Sequence, residues 1–272
     1  MTQKIQPLIL AAGKGTRMKS SLPKVLLEIA KKPMLGHVLD TASELNTLPP
    51  IVVTGFESDQ VKTRFPNCIF VEQTEQLGTG HAVQMAADAL PSDSLVLILY
   101  GDVPLVQPET LQAVLDAAQG GLGLLTVILN NPAGYGRIVR DSSGNIQSIV
   151  EQKDASEEQL AIQEVNTGIL AAKASDLTRW VAQLDNNNAQ GEYYLTDIIA
   201  MAVSEGIEIQ TANPSNESEV MGANDRVQLA QLERAYQLHQ AENLMRDGVT
   251  LLDPNRIDIR GALYAGTGVC ID

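Results

Sequence analysis

Four stretches of the chain are apolar almost without a break: residues 8–12, 51–54, 95–100 and 122–129. A strand with one face in water alternates apolar and polar residues. Unbroken runs therefore predict strands covered on both faces, as in the parallel or mixed sheet of an α/β fold. The segments between them carry a helical period. After Pro33, a residue suited to opening a helix, Met34, Leu35, Val38, Leu39, Ala42 and Leu45 recur at that spacing. A second helix is predicted over 80–90, with Ala82, Val83, Ala86, Ala87 and Leu90 facing inward, and a third over 108–118. This succession of strand, helix and strand implies a doubly wound sheet.

The middle of the chain is less regular. Residues 138–140 and 146–150 flank Asp141-Ser142-Ser143-Gly144-Asn145 and predict a hairpin with a longer loop. Residues 165–171 predict another strand. A helix over 195–204 takes Thr196 or Asp197 as its cap and Gly206 as its stop. Asp225 then caps a long helix carrying Val227, Leu229, Leu232, Tyr236, Ala241, Leu244 and Met245, closed by Gly248. Beyond it, Ile257, Leu263 and Val269 step by six residues, beside the small residues Gly261, Ala262 and Gly268. A six-residue apolar step marks hexapeptide β-helix repeats, although two steps fit a plain C-terminal strand equally well.

With 272 residues, 44% of them hydrophobic and 19% charged, the chain can bury a sizeable core. Its formal net charge of −14 repels phosphate backbones and anionic membranes, so neither nucleic acid nor membrane is an expected partner. The charge is unevenly spread. Residues 1–32 hold seven of the 19 Lys and Arg residues (Lys4, Lys14, Arg17, Lys19, Lys24, Lys31 and Lys32) against one acid, Glu28. That island points to a small anionic ligand near the N-terminus. Cys68 and Cys270 lack metal-ligand spacing and read as free thiols in a reducing compartment. The first apolar run stops at Gly13, too early for a signal peptide, and no run approaches the length of a membrane span. The expected location is the cytoplasm.

Directly after the first strand comes Leu10-Ala11-Ala12-Gly13-Lys14-Gly15-Thr16-Arg17-Met18. Glycines here let backbone N–H groups turn toward a phosphate with no Cβ in the way. Met18 excludes the two commonest phosphate motifs. It stands where the dinucleotide fingerprint needs its last glycine, and where a P-loop needs glycine before Lys19-Ser20. A plain glycine turn remains open on this segment alone. Arg17 offers a planar fork to phosphate oxygens, and Lys24, behind Pro23, adds a compact charge. Asp102 follows the strand at 95–100, and ligands of open α/β sheets bind outside the carboxyl ends of strands.

The run Leu-Ala-Ala-Gly-x-Gly-Thr-Arg-Met followed by Pro23-Lys24 closely resembles the signature of sugar nucleotidyltransferases, and Tyr100-Gly101-Asp102-Val103-Pro104-Leu105 resembles their metal-binding motif. Gln73-Thr74-Glu75-Gln76-Leu77-Gly78-Thr79-Gly80-His81-Ala82 resembles the uridine- and sugar-recognition segment of the bacterial N-acetylglucosamine-1-phosphate uridylyltransferases. Matches follow in order at Gly134-Tyr135-Gly136-Arg137-Ile138, Val150-Glu151, Asn166-Thr167-Gly168 and 191–197. Gly222-Ala223-Asn224 matches too, although that family more often has Val in the middle. The similarity covers essentially the whole chain.

The resemblance implies a Rossmann-like nucleotidyltransferase fold with a mixed, mostly parallel sheet over residues 1–224. A linking helix over 225–247 and the start of a left-handed parallel β-helix over 248–272 would follow. It implies transfer of UMP from UTP to N-acetylglucosamine 1-phosphate with Mg²⁺ as cofactor. By resemblance Leu10, Ala11, Ala12, Gly13 and Lys24 contact the nucleotide and Arg17 helps hold the triphosphate, with Arg17 and Lys24 catalytic. Gln73 and Gly78 would read uracil. Thr79, Tyr100, Gly136, Glu151 and Asn166 would surround the sugar, Gly101 would also contact substrate, and Asp102 and Asn224 would contact substrate and hold Mg²⁺. In that family the β-helix carries an acetyltransferase and forms a trimer, so this chain is expected to lack acetyl-CoA-dependent activity and to be mainly monomeric. No role follows for His37 or His81, and none is secure for the segment 191–197. Other sugar nucleotidyltransferases and a catalytically dead binding module on the same fold remain the alternatives.

Overall fold

The unbroken apolar runs are central strands of one sheet, and alternate residues in them feed two separate cores. A computed structural model describes residues 3–55 and 57–272. It opens with β1 (Lys4–Ala11), the short hairpin of β2 (Glu28–Ile29) and β3 (Lys32–Pro33), α1 (Met34–Ser43), β4 (Ile51–Thr54), α2 (Ser58–Arg64) and β5 (Ile69–Glu72). Next come α3 (Thr79–Ala86), β6 (Ser94–Tyr100), α4 (Pro108–Ala117), β7 (Gly121–Ile128), β8 (Arg137–Arg140), β9 (Ile146–Val150) and α5 (Glu157–Leu160). The chain continues through β10 (Glu164–Lys173), α6 (Ala174–Val181), α7 (Asp197–Ser204), β11 (Glu208–Ala212), α8 (Arg226–Arg246), β12 (Thr250–Leu251) and β13 (Cys270–Ile271).

Among the described residues the main sheet has nine strands, in the order β11-β7-β10-β6-β1-β4-β5, with β8 and β9 attached through β10. β1 runs parallel to β4 and β6, and β4 runs parallel to β5. β10 is antiparallel to both β6 and β7, and β11 returns parallel to β7. The sheet is therefore mixed and α/β, as the apolar pattern implied. Leu8 and Leu10 of β1 point into a core closed by α3, α6 and α7, where Val83, Trp180 and Ile198 are buried. Ile9 and Ala11 point into the opposite core, closed by α1 and α4 through Leu35, Val38, Leu111 and Val114. Because successive strand residues face opposite sides, burial on both faces demands apolar residues at every position.

Several boundaries differ from the expectation for local reasons. The helix expected over 80–90 is α-helical only to Ala86 and tightens into a 3₁₀ turn at Ala87–Ala89. The helix expected from residue 195 begins at Asp197. Thr196 precedes it with helical backbone angles and makes no capping bond, while its hydroxyl donates to Glu151 at 3.1 Å. Asp225 does cap α8, accepting from the Gln228 N–H at 2.9 Å. At the C-terminus, β12 and β13 pair in parallel, and Ile257 packs beside Ala241, Val249 and Leu251. Leu263 and Val269 are exposed, so only one of the three stepped residues lies against a core.

Trp180 is the largest fully buried side chain. It lies in the core under α3, the helix that carries Thr79. Trp180→Ala is expected to destabilise the fold by about 3–5 kcal/mol. Urea unfolding monitored by far-UV circular dichroism checks this; an unchanged midpoint would contradict the packing described.

Candidate active site

From β1 the chain moves outward to β4 and β5, then crosses back to β6 on the other side of β1. Loops leaving the carboxyl ends of β1 and β6 thus diverge, and a crevice opens between them. The Gly101 N–H donates to the Leu10 carbonyl at 3.0 Å, closing the strand pair just below that crevice. Gly15, in the loop after β1, has φ of 57°, and a Cβ there would fall 2.7 Å from Cβ of Lys24. Glycine at this position lets the stem of Lys24 pass directly against the loop backbone.

A cavity of about 410 Å³ fills the crevice. Leu10, Ala11, Ala12 and Gly13 form one wall, and Gln73, Gly78 and Thr79 form another. Tyr100, Asp102, Lys24 and Asn224 border it as well. Eleven of the residues singled out from the sequence therefore meet in one place. Gln76, Val25, Ala82 and Glu192 line it too and were not anticipated. Gln76 lay inside the quoted recognition segment, whereas Glu192 lay in a stretch to which no task could be given. A polar cavity of about 380 Å³ between α1 and α8 contains none of the residues expected to touch substrate or metal.

At the floor of the crevice, the Lys24 ammonium donates to the Asp102 carboxylate and, at 3.1 Å, to Asn224 Oδ1. The Lys24 and Asp102 side chains are only 12% and 17% exposed. The Ala223 N–H donates to the Asp102 carbonyl at 3.2 Å, and the Asn224 N–H donates to Gln228 Oε1 at 2.6 Å, so α8 helps to set this corner. Two oxygen donors thus converge on one positive charge. Such a pair also fits a hard divalent cation, with phosphates and waters completing its shell.

The segment 191–197, without a role in the sequence, braces the opposite wall. The Tyr193 N–H donates to the Leu77 carbonyl and the Gly80 N–H to the Tyr193 carbonyl, both at 2.8 Å. The Leu195 N–H donates to the Thr79 hydroxyl at 3.2 Å.

Gly136, Glu151 and Asn166 stand together behind Tyr100 rather than on the main cavity. The Asn166 N–H donates to the Gly136 carbonyl at 2.9 Å, and a Cβ on Gly136 would lie 3.4 Å from Glu151 Oε1. Asn166 and Tyr100 share a much smaller hollow of about 10 Å³. Gly168, with φ of +88°, packs directly on the Tyr100 ring, where any side chain would collide with it. Burial raises the Glu151 carboxyl above its ordinary pKa, and the charges of Asp197, Asp154 and Glu192 push the same way against a hydrogen bond from Thr196. Burial, with Glu151 and Asp102 nearby, likewise raises the Tyr100 phenol.

Arg17 departs from this gathering. It is exposed on a 3₁₀ turn, Thr16–Met18, lies outside the cavity lining, and forms no ion pair among the described residues. The N-terminal island of charge is also divided. Lys4 pairs with Asp93 at the amino end of β1, about 20 Å from the crevice at a normal strand rise. Lys32 pairs with Asp40 on α1. Proximity in sequence overstated the positive charge at the site, because β1 separates its first lysine from its last residues.

Residues 7–157, more than half of the 272, match the family described as the MobA-like NTP transferase domain. The chain belongs to this family. Among curated relatives of this NTP transferase, the bifunctional protein GlmU of Acinetobacter baylyi is 56% identical over 268 residues, covering 97% of the chain and 59% of the relative. The protein of the same name from Idiomarina loihiensis is 56% identical over 272 residues, covering 99% and 60%. The chain thus spans about three fifths of the length of these relatives. A UDP-glucose pyrophosphorylase complexed with UDP-glucose superposes with a TM-score of 0.69 at 16% identity, over 86% of this chain and 98% of that one. A nucleotidyl transferase from Methanothermobacter gives 0.62 at 18% identity, over 86% and 97%. These two confirm the nucleotidyltransferase fold. Among the described residues of this NTP transferase, no helix is long and apolar enough to cross a membrane.

The raised pKa of Glu151 has a consequence for stability. The folded state holds this proton more tightly than the unfolded chain, so stability falls as pH rises from the ordinary carboxyl pKa through the raised one. Glu151→Gln removes that loss. Its melting temperature is expected to exceed wild type at about pH 7.5, with the gap closing by about pH 4. Paired thermal melts at the two pH values test this, and a lower melting temperature for the variant at the higher pH would overturn it.

Proposed function

We propose that this chain transfers UMP from UTP to N-acetylglucosamine 1-phosphate, giving UDP-N-acetylglucosamine and pyrophosphate. The observation that carries the proposal is the meeting of Lys24, Asp102 and Asn224 beneath the backbone of residues 10–13 in one cavity. The motifs at 73–82, 134–138 and 166–168 support the choice of nucleotide and sugar through their family resemblance. Family membership supports the reaction class.

In the proposed reaction an oxygen of the sugar phosphate attacks the α-phosphorus of UTP in line. The new P–O bond forms as the bond to the leaving pyrophosphate breaks. The attacking oxygen is already ionised, so the step needs positioning and charge neutralisation rather than a general base. The backbone at Leu10, Ala11, Ala12 and Gly13 cradles the nucleotide, while Gln73 and Gly78 meet the uracil. Lys24 neutralises charge on the transferring group, and Arg17 reaches the triphosphate from the loop above. Thr79, Tyr100, Gly136, Glu151 and Asn166 hold the sugar. Asp102 and Asn224 would hold Mg²⁺, whose charge would offset that of the substrate phosphates.

The proposal extends to domain organisation. Residues 1–224 would form the transferase and 225–247 the linking helix, while 248–272 would open a β-helix; the parallel pairing of β12 with β13 supports the last assignment. The chain is proposed to work as a monomer in the cytoplasm.

Pyrophosphate release from UTP, with and without Mg²⁺, across a panel of sugar 1-phosphates tests the proposal. N-acetylglucosamine 1-phosphate with Mg²⁺ is expected to give the highest kcat/KM. Lys24→Ala and Asp102→Ala are each expected to lower turnover roughly a hundredfold or more, an effect of about 3–4 kcal/mol, while keeping a wild-type circular dichroism spectrum. Near-normal turnover in either folded variant would refute the assigned roles.

A further inference from the structure

We propose that Gln228, in the first turn of α8, is a positioning residue for the divalent cation: by accepting the Asn224 N–H, it holds the Asn224 carboxamide where a cation beside Asp102 can use it. The inference rests on the assignment of Asp102 and Asn224 to Mg²⁺ above, and goes beyond it by naming the group that sets the strength of that site.

Asn224 has no secondary structure of its own. It lies in the coil between the 3₁₀ turn Glu217–Val220 and α8. Its side-chain oxygen accepts from Lys24 Nζ at 3.1 Å, so it faces the ammonium that Asp102 also binds. Its N–H donates to Gln228 Oε1 at 2.6 Å and has no other partner among the described residues. A backbone N–H can only donate, so this contact takes the oxygen of the Gln228 amide and leaves no second orientation.

The direction of the constraint follows from what holds each end. Gln228 stands on α8, whose Leu232 is fully buried in a cluster with Met18, Ile29, Met34 and Leu105. The Gln228 N–H donates to Asp225 Oδ1 at 2.9 Å, and Arg226 Nε donates to the Met18 carbonyl in the glycine loop at 3.0 Å. The start of the helix is thereby fixed to that loop without help from Asn224. Asp225 and Gln228 stand at the spacing of a capping box, in which the fourth side chain returns to the N–H of the cap residue. Here it reaches one residue further back, to the ligand itself. Asn224 brings no charge to a cation, so its worth as a ligand depends on being held in place.

The test compares Gln228→Met, which keeps the length but offers only a weak acceptor, with Gln228→Glu, which keeps an oxygen acceptor. Water-proton relaxation measures Mn²⁺ bound by the full chain in the presence of UTP, and calorimetry measures UTP affinity without metal. The Mg²⁺ concentration for half-maximal turnover is measured alongside. Gln228→Met is expected to weaken Mn²⁺ binding and to raise the half-saturating Mg²⁺, each about tenfold, with metal-free UTP affinity near wild type. Gln228→Glu is expected to bind Mn²⁺ at least as tightly as wild type. A helix-capping role alone would lower the melting temperature and leave Mn²⁺ affinity unchanged. Unchanged Mn²⁺ affinity in Gln228→Met, or an equal loss in Gln228→Glu, would overturn the proposal; if Gln228→Met does not fold, Gln228→Ala makes the same comparison. Asn224→Ala separates this inference from the assignment beneath it. Wild-type Mn²⁺ affinity in Asn224→Ala would refute Asn224 as a ligand, whereas a loss there with none in Gln228→Met would refute only the role of Gln228.

Discussion

The Lys24 ammonium, shared between Asp102 and Asn224, is the contact on which the rest of the crevice depends. The lysine is 78 residues from one partner and 200 from the other, so three distant parts of the chain are drawn to one point. All three groups are largely shielded from water, and a shielded charge without a partner is costly. Removing one member would therefore do more than delete a contact, since it would leave the others unmatched. The same triad gives the site its chemical character. It sets two oxygen acceptors and one ammonium group side by side at the border of the cavity.

The sheet order makes this meeting possible. Strands β1 and β6 are parallel neighbours, yet the chain leaves them in opposite directions, so their carboxyl ends remain uncovered. The glycine loop and Asp102 both occupy those ends. The far wall is built differently. It follows the carboxyl end of β5, and backbone hydrogen bonds from Tyr193 and Leu195 brace it as well. Those bonds come from a part of the chain more than a hundred residues beyond the turn they hold, which gives the stretch 191–197 a structural reason for its composition.

The acidic group around Glu151 shows the opposite bias to Lys24. Burial and neighbouring carboxylates oppose its ionisation, and one hydroxyl, from Thr196, compensates in part. Such an arrangement costs stability in the absence of ligand. Under the proposed function, a sugar hydroxyl that donates to the carboxylate would offset that cost.

The central strands and the helices beside them were legible because burial on both faces leaves an apolar run, and burial on one face leaves a helical stripe. β4 and β9 fell where the pattern placed them, and Asp225 capped α8 as its residue type required. The edge strands β5 and β11 were not legible. β5 is half-exposed, with Ile69 and Glu72 in water, so it carries no continuous apolar signal. Within the site, the motifs located Lys24, Asp102, Gln73 and Asn224 individually. They could not show that Lys24 bridges Asp102 to Asn224 or that Arg17 stands outside the cavity. Residue type and local spacing determined which elements form and marked a loop suited to phosphate, while the family resemblance of the motifs marked residues for base and metal. Which of them share one cavity, and which way each donor points, only the tertiary structure decided, because contacts across 78 and 200 residues have no local period to leave in the chain.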